Sequence, residues 1–277
     1  MTTFVEKYEA RAQSINSLLS VGLDSEISKL PSSFLSKEYP QYEFNKWIIE
    51  ETHQYTSCYK FNLAFYEARG EQGWRELKMS MMYLQERHPQ LPTIADAKRA
   101  DIGSTNEAYA KGIFDELGFD AITLHPYLGH EAMQPFLVRQ DKGCIFLCRT
   151  SNPGAGELQA LMVSRTGGDN LPPQPLWQVV AQQVASEWNE HGNCLLVVGA
   201  TYPAELSQVR QLVGEMTLLV PGVGAQGGDL AAVLRDGCNE KGLGLIINSS
   251  RGIIFADSPA QAAQELAVEM QDRSKND

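Results

Sequence analysis

The stretch Thr93-Ile94-Ala95-Asp96-Ala97-Lys98 decides the fold, because a short strand-forming run ends directly in charged side chains. Seven further short apolar runs bounded by turn residues resemble it, and segments with helical spacing lie between them. Strands that alternate with helices in this way predict an α/β fold with a parallel sheet. The predicted strands are 19–24, 57–62, 93–97, 121–124, 144–148, 195–198, 218–221 and 245–248.

The positions of charged residues favour a closed barrel over an open, doubly wound sheet, which would give a similar alternation. Asp24 and Lys60 lie at the carboxyl ends of the first two predicted strands, Asp96 lies near the end of the third, and Arg251 follows the last. That end of the strands carries the catalytic groups of barrel enzymes, so we expect a (β/α)8 TIM barrel. We also expect residues 1–277 to form a single domain. The predicted helices are 42–55, 74–87, 104–117, 176–189, 203–213, 230–235 and 259–271.

The composition is that of a soluble globular protein, with 43% hydrophobic and 21% charged residues. A net charge of -11 disfavours nonspecific binding to nucleic acid or to an anionic membrane. The N-terminal stretch has the pattern of a polar helix, and no run of about 18 apolar residues occurs, so we expect a cytoplasmic protein. The five cysteines form no Cys-x-x-Cys pair and are expected to be reduced thiols.

Three charges of alternating sign stand at the end of the third predicted strand. Asp96 and Lys98 are two residues apart, so a regular strand would direct both side chains to one face. Asp101 follows three residues later, at the predicted turn into a helix. These charges must be solvated or paired. The cluster therefore predicts either a catalytic site or a surface ion cluster, with Asp101 as the N-cap of the next helix.

The pattern Asp96-x-Lys98-x-x-Asp101-Ile102-x-x-Thr105 is similar to the signature of orotidine 5'-monophosphate decarboxylases, and the surrounding chain resembles their longer bacterial branch. Matching features run in the same order from Asp24 to Arg251. The resemblance implies a homodimeric TIM barrel that converts orotidine 5'-monophosphate to uridine 5'-monophosphate in pyrimidine biosynthesis. It also implies that no cofactor takes part.

The resemblance assigns roles to the charged residues at the strand ends. Asp24 and Lys60 would hold the ribose hydroxyls, and Lys60 would also contact the catalytic charges. Asp96 would lie against the substrate carboxylate, and Lys98 would protonate the ring carbon that loses carbon dioxide. A fixed ammonium suits this reaction, because the departing carbon dioxide leaves negative charge on that carbon.

Two further groups of residues are implied by the same resemblance. Asp101, Ile102 and Thr105 would enter the active site of the neighbouring subunit, where Asp101 would complete the catalytic charges. Ser151 would meet the pyrimidine amide from a lid formed by the long irregular stretch 150–175, although a solvated insertion is the alternative.

The resemblance assigns the phosphate to Gln226 and Arg251. Gln226 lies in Gly222-Val223-Gly224-Ala225-Gln226-Gly227, which also fits the dinucleotide pattern G-x-G-x-x-G. Its place near the C-terminus favours instead the phosphate site that barrels form after their seventh and eighth strands.

A bound metal is not expected. His125, His130 and Glu131 lack the spacing of a zinc signature, and Pro126 and Gly129 predict a turn there. Two other functions remain open at this stage. One is a metal-dependent, aldolase-like synthase acting on a sugar phosphate, and the other is a noncatalytic sensor of nucleotide monophosphates.

Overall fold

The computed structural model describes residues 2–164, 172–223 and 228–271 and contains a closed barrel of eight parallel strands. A short antiparallel pair, β6 and β7, lies outside the barrel. The strands are β1 Leu19–Gly22, β2 Cys58–Asn62, β3 Thr93–Arg99, β4 Ala121–Leu124, β5 Gly143–Arg149, β6 Met162–Val163, β7 Gln174–Pro175, β8 Cys194–Val198, β9 Leu218–Pro221 and β10 Leu245–Ser249.

The pairing of the first strand with the last closes the barrel. Ser20 is in register with Cys58 of β2, and Leu19 is in register with Ile247 of β10. Because every neighbouring pair in the barrel is parallel, the predicted TIM barrel is confirmed and the open sheet is excluded. Each predicted strand agrees with an observed one to within two residues at either end.

Helices surround the barrel, and none in the described part of the chain has both the length and the apolar composition needed to cross a membrane. Two helices continue as π-helical turns, Lys111–Glu116 and Val184–Trp188. The α-helices are α1 Phe4–Ile15, α2 Ser32–Leu35, α3 Pro40–Thr52, α4 Ala64–Glu67, α5 Gly70–Arg87, α6 Gly103–Ala110, α7 Gly129–Leu137, α8 Gly156–Gln159, α9 Leu176–Gln183, α10 Pro203–Val213, α11 Leu230–Gly237, α12 Arg251–Ile254 and α13 Pro259–Gln271.

Helix α7 was not among the predicted helices. The turn expected at Pro126 and Gly129 is present over residues 126–128, and α7 then begins at Gly129 and continues through Pro135. Proline removes one backbone donor inside a helix, but Met133 and Phe136 are buried on either side of it. The burial of this apolar face outweighs the local cost of the proline.

Helix α1 covers the amino-terminal end of the barrel. The backbone N–H of Phe4 donates to the carbonyl oxygen of Asp141 at 3.0 Å, just before β5. Tyr8 donates to the carbonyl oxygen of Leu245, where β10 begins. Since α1 closes this end, an active site at the mouth of the barrel has to lie at the carboxyl ends of the strands.

All five cysteines are free thiols. Burial raises the pKa of Cys58, Cys148 and Cys194 to about 12. The thiolate form of these three side chains is therefore scarce at neutral pH, and they behave as small apolar residues.

Candidate active site

Lys60 lies at the centre of a charged array at the carboxyl ends of β1, β2 and β3. Its Nζ is 3.2 Å from Oδ1 of Asp24 and 3.1 Å from Oδ2 of Asp96. The parallel register of β2 and β3 sets Asn62 opposite Asp96, two residues beyond Lys60. The Lys60 side chain is only 5% exposed, so both ion pairs are largely withdrawn from water.

The charges of the array fix one another's protonation states. Burial acts to lower the pKa of Lys60, but the carboxylates of Asp24 and Asp96 outweigh it and raise that pKa above its usual value. Burial likewise acts to raise the pKa of Asp96, and the ammonium groups of Lys60 and Lys98 hold it well below its usual range. Lys60 is therefore a cation and Asp96 an anion throughout the neutral pH range.

Lys98 reaches Asp96 from an irregular part of β3. Its Nζ lies 2.5 Å from Oδ1 of Asp96, and its side chain remains 49% exposed toward the mouth of the barrel. The backbone of Lys98 is left-handed, with a φ of 48°, which costs an L-residue roughly 1–2 kcal/mol. Asp96 and Lys98 meet as predicted, but regular strand alternation is not the cause: between Ala95 and Arg99 the register of β3 against β4 shifts, and a bulge aims Lys98 at Asp96.

Thr123 on β4 is a member of the array that the sequence did not reveal. Its hydroxyl donates to Oδ1 of Asp96 at 3.0 Å and accepts from the backbone N–H of Lys98 at 2.9 Å. A single threonine in the apolar run Ala121–Leu124 carries no spacing signal that marks it as functional. Thr123 thus fixes both the carboxylate and the backbone that presents the lysine.

Asp101, Ile102 and Thr105 lie apart from this array, on the turn and first residues of α6. The carboxylate of Asp101 accepts from the backbone N–H of Ile102 at 2.7 Å, but Ile102 and not Asp101 is the N-cap of α6. The Ile102 side chain is 62% exposed. Among the described contacts, none joins these three residues to Lys60, Asp96 or Lys98 of the same chain.

A cavity of about 190 Å³ extends from the array toward the ends of β9 and β10. Asp24, Asp96 and Arg251, the first residue of α12, all line this cavity. A Cβ atom on Gly22 would lie 1.9 Å from Oγ of Ser250, so glycine at the end of β1 lets the segment after β10 approach closely. Gln226, assigned to the same region from the sequence, lies outside the described residues.

Ser151 lies at the opposite side of the barrel mouth, after β5. It packs on the end of β8, because a Cβ atom on Gly199 would be 2.7 Å from Cβ of Ser151. The predicted irregular stretch 150–175 contains α8, β6 and β7, and its residues 165–171 lie outside the described part. The side chain of Gln159 accepts from the backbone N–H of Thr150 at 2.9 Å and anchors the start of this stretch.

The array does not fit a bridging metal ion, because the ammonium of Lys60 already lies between the two carboxylates that would hold it. The rim histidines also have other contacts. His130 stacks on Trp188 with ring centroids 5.7 Å apart, and its Nε2 lies 2.9 Å from Nε2 of Gln134. Burial lowers the pKa of His125, so its imidazole is neutral at neutral pH.

The closed parallel barrel, with alternating lysines and aspartates at the carboxyl ends of its strands, places this protein in the class of TIM-barrel enzymes. The comparisons with known proteins place it more finely. A family model described as orotidine 5'-phosphate decarboxylase / HUMPS family matches residues 17–266, and the chain belongs to this family. The family expected from the sequence is thereby confirmed.

Similar proteins match along nearly the whole chain. The orotidine 5'-phosphate decarboxylase of Janthinobacterium sp. (strain Marseille) is 45% identical over 274 residues, which are 98% of this chain and 97% of that protein. The structure of Leishmania donovani OMP decarboxylase is 38% identical with a TM-score of 0.84, and the match covers 98% of each chain. Leishmania donovani UMP synthase superposes with a TM-score of 0.87 at 39% identity, but this chain spans only 57% of it.

Proposed function

We propose that the array of Asp24, Lys60, Asp96 and Lys98 decarboxylates orotidine 5'-monophosphate to uridine 5'-monophosphate, a step of pyrimidine biosynthesis. Membership in the orotidine 5'-phosphate decarboxylase / HUMPS family gives the reaction. The observation that carries the residue assignment is the continuous chain of ion pairs from Asp24 through Lys60 and Asp96 to Lys98. This series of ion pairs ends in one exposed ammonium, that of Lys98, at the mouth of the barrel.

The chemistry needs a group that stabilises and then protonates a carbanion. When the bond to the substrate carboxylate breaks, its electron pair stays on the ring carbon and carbon dioxide leaves. The ammonium of Lys98 stabilises this charge and then donates a proton to the same carbon. Asp96 is held as an anion and repels the substrate carboxylate, and this repulsion ends as carbon dioxide departs.

The remaining side chains of the site would bind the nonreacting parts of the nucleotide. Asp24 and Lys60 are proposed to hold the ribose hydroxyls, and Arg251, which lines the same cavity, is the proposed partner of the phosphate. Gln226 and Ser151 are proposed contacts to the phosphate and to the pyrimidine amide. Binding energy from these remote contacts would hold the reacting ring against Lys98 and close a lid formed by 150–175.

The active form is proposed to be a homodimer with shared sites. Ile102 and Tyr127 lie on neighbouring loops after β3 and β4, and both are largely exposed apolar side chains. A second subunit would cover these side chains. It would also receive Asp101, Ile102 and Thr105, which make no described contact with the array of their own chain.

A spectrophotometric assay of orotidine monophosphate loss tests the proposal. We expect turnover by the unaltered chain and its loss in Lys98→Ala, because no other described ammonium is exposed beside Asp96. Lys111→Ala is the matched control, since Lys111 pairs with Glu116 on the surface of the protein. Turnover that survives in Lys98→Ala would refute the assignment of the proton donor.

A further inference from the structure

Three potential metal ligands meet at the end of the barrel opposite the charged array. Glu50 and His53 lie at the C-terminal end of α3, and His88 directly follows α5. One ligand atom from each of these residues lies within 4.8 Å of the other two. Within the described ranges of the chain, this is the one group of three such residues that close together.

A hydrogen bond and a ring contact already hold the three side chains of the cluster together. Nε2 of His88 lies 2.9 Å from Oε1 of Glu50, and the rings of His53 and His88 have centroids 4.5 Å apart. The hydroxyl of Tyr83 donates to the same Glu50 oxygen at 2.6 Å. A hydrogen bond from a neighbouring side chain commonly orients a carboxylate that ligates a metal.

The backbone of α3 selects the tautomer of His53. Its Nδ1 lies 3.2 Å from the carbonyl oxygen of Ile49 and 3.0 Å from that of Glu50. Carbonyl oxygens only accept hydrogen bonds, so Nδ1 carries the proton and Nε2 has the free lone pair. A histidine that donates one nitrogen to a backbone carbonyl is prepared to ligate a metal through the other.

The position of the cluster also favours a cation. The C-terminal ends of α3 and α5 carry partial negative charge because the peptide dipoles of each helix are aligned along its axis. The Glu50 side chain is 45% exposed, whereas most of the His88 side chain is buried, so an ion could enter from water on one side. Two imidazoles and a carboxylate are a ligand set that suits zinc and similar divalent ions, with water as the fourth ligand.

We propose that Glu50, His53 and His88 form a binding site for a divalent transition-metal ion of the zinc type, which joins the ends of α3 and α5. The site is separate from the charged array, and it does not depend on the decarboxylase reaction. It departs from the expectation that the chain binds no metal, which rested on His125 and His130.

Zinc titration of the purified full-length protein tests the site. With a chromophoric zinc chelator as competitor, we expect one equivalent of Zn²⁺ bound per chain and a higher Tm in the presence of the ion. The variants His53→Ala and His88→Gln should each fail to bind this equivalent of Zn²⁺, and the ion should no longer raise their Tm. Tyr83→Phe, which removes the donor to Glu50, should weaken binding by about tenfold.

The control is His191→Ala, since His191 lies on an exposed loop away from the cluster. It should bind zinc as the unaltered chain does. Circular dichroism and undiminished decarboxylase turnover would show that the cluster variants are folded. Binding that is absent from the unaltered chain, or that persists in both His53→Ala and His88→Gln, would overturn the proposal. When Co²⁺ replaces Zn²⁺, the absorption spectrum should lack the charge-transfer band of thiolate ligation. The presence of that band would assign the ion to a cysteine instead.

Discussion

Thr123 connects Asp96 and Lys98 of the proposed catalytic array through one hydroxyl group. Because it donates to Asp96 and accepts from the backbone of Lys98, Thr123→Val removes both hydrogen bonds while keeping the shape of the side chain. We expect kcat to fall by about 10-fold to 100-fold, since small displacements of a reacting group reduce rates strongly. Steady-state kinetics of the decarboxylation measure this effect.

Thr123→Ser is the matched control, because serine keeps the hydroxyl and loses only a methyl group. Its kcat should remain close to that of the unaltered chain, with KM little changed in either variant. An equal loss of kcat in the valine and serine variants would mean that packing, and not hydrogen bonding, is the role of Thr123.

Lys60 joins the ends of three strands, β1, β2 and β3, through its two ion pairs. Lys60→Met leaves the largely buried carboxylate of Asp24 without its ion-pair partner and that of Asp96 with Lys98 alone, so we expect the free energy of unfolding to fall by about 3 kcal/mol at neutral pH. The pKa of Lys60 is raised in the folded state, so its stabilising effect is complete below the ordinary lysine pKa of about 10.4. It is lost as the pH rises toward the folded-state pKa.

Denaturant unfolding over a pH series checks this dependence. The difference between the unaltered chain and Lys60→Met should stay constant from neutral pH to about pH 10 and shrink above it. On the acid side, the lowered pKa of Asp96 means that its contribution is present above about pH 3.9 and is lost as the pH falls further. A difference that grew above pH 10 would contradict the sign of the Lys60 shift.

The contact between the segment after β5 and the end of β8 depends on Gly199. Gly199→Ala would place a Cβ atom 2.9 Å from the backbone nitrogen of Ser151, and the segment would have to move. We expect a loss of about 1–3 kcal/mol in the free energy of unfolding and a raised KM, because Ser151 would be displaced. Thermal unfolding and steady-state kinetics measure the two effects.

Gly156→Ala on α8 is the control for Gly199→Ala, since an added Cβ there has no neighbour within 4 Å. It should change neither the Tm nor KM by a comparable amount. If both glycine variants behaved alike, the close approach of Ser151 to β8 would not be the cause.

The strands were predictable from the sequence because each combines a short apolar run with flanking turn residues. Helix α7 was not, since Gly129 and Pro135 are local signals for a break, and only the burial of its apolar face keeps it helical. Asp96 and Lys98 were recognised as a pair from their spacing. Their geometry depends on a bulge in β3 that spacing does not encode, and Thr123 is placed by the neighbouring strand.

The proposed sharing of active sites between two subunits makes a prediction for the whole assembly. Lys98→Ala and Asp101→Ala should each be nearly inactive alone, because every site then lacks one of the two residues. In a mixture that exchanges subunits, each heterodimer has one site with both residues intact, and activity should recover to about a quarter of that of the unaltered chain. No recovery, with exchange shown by mass spectrometry of the mixed dimers, would rule out shared sites.

The left-handed backbone of Lys98 has a steric cost that opposes the proposed role of its amine. Glycine adopts this conformation without the steric cost that a lysine has, but it carries no amine. Selection for an unstrained backbone alone would therefore favour glycine at position 98, and that glycine would remove both the ion pair with Asp96 and the proposed proton donor. A lysine in a conformation with this steric cost is what natural selection for the proposed proton donor would leave behind.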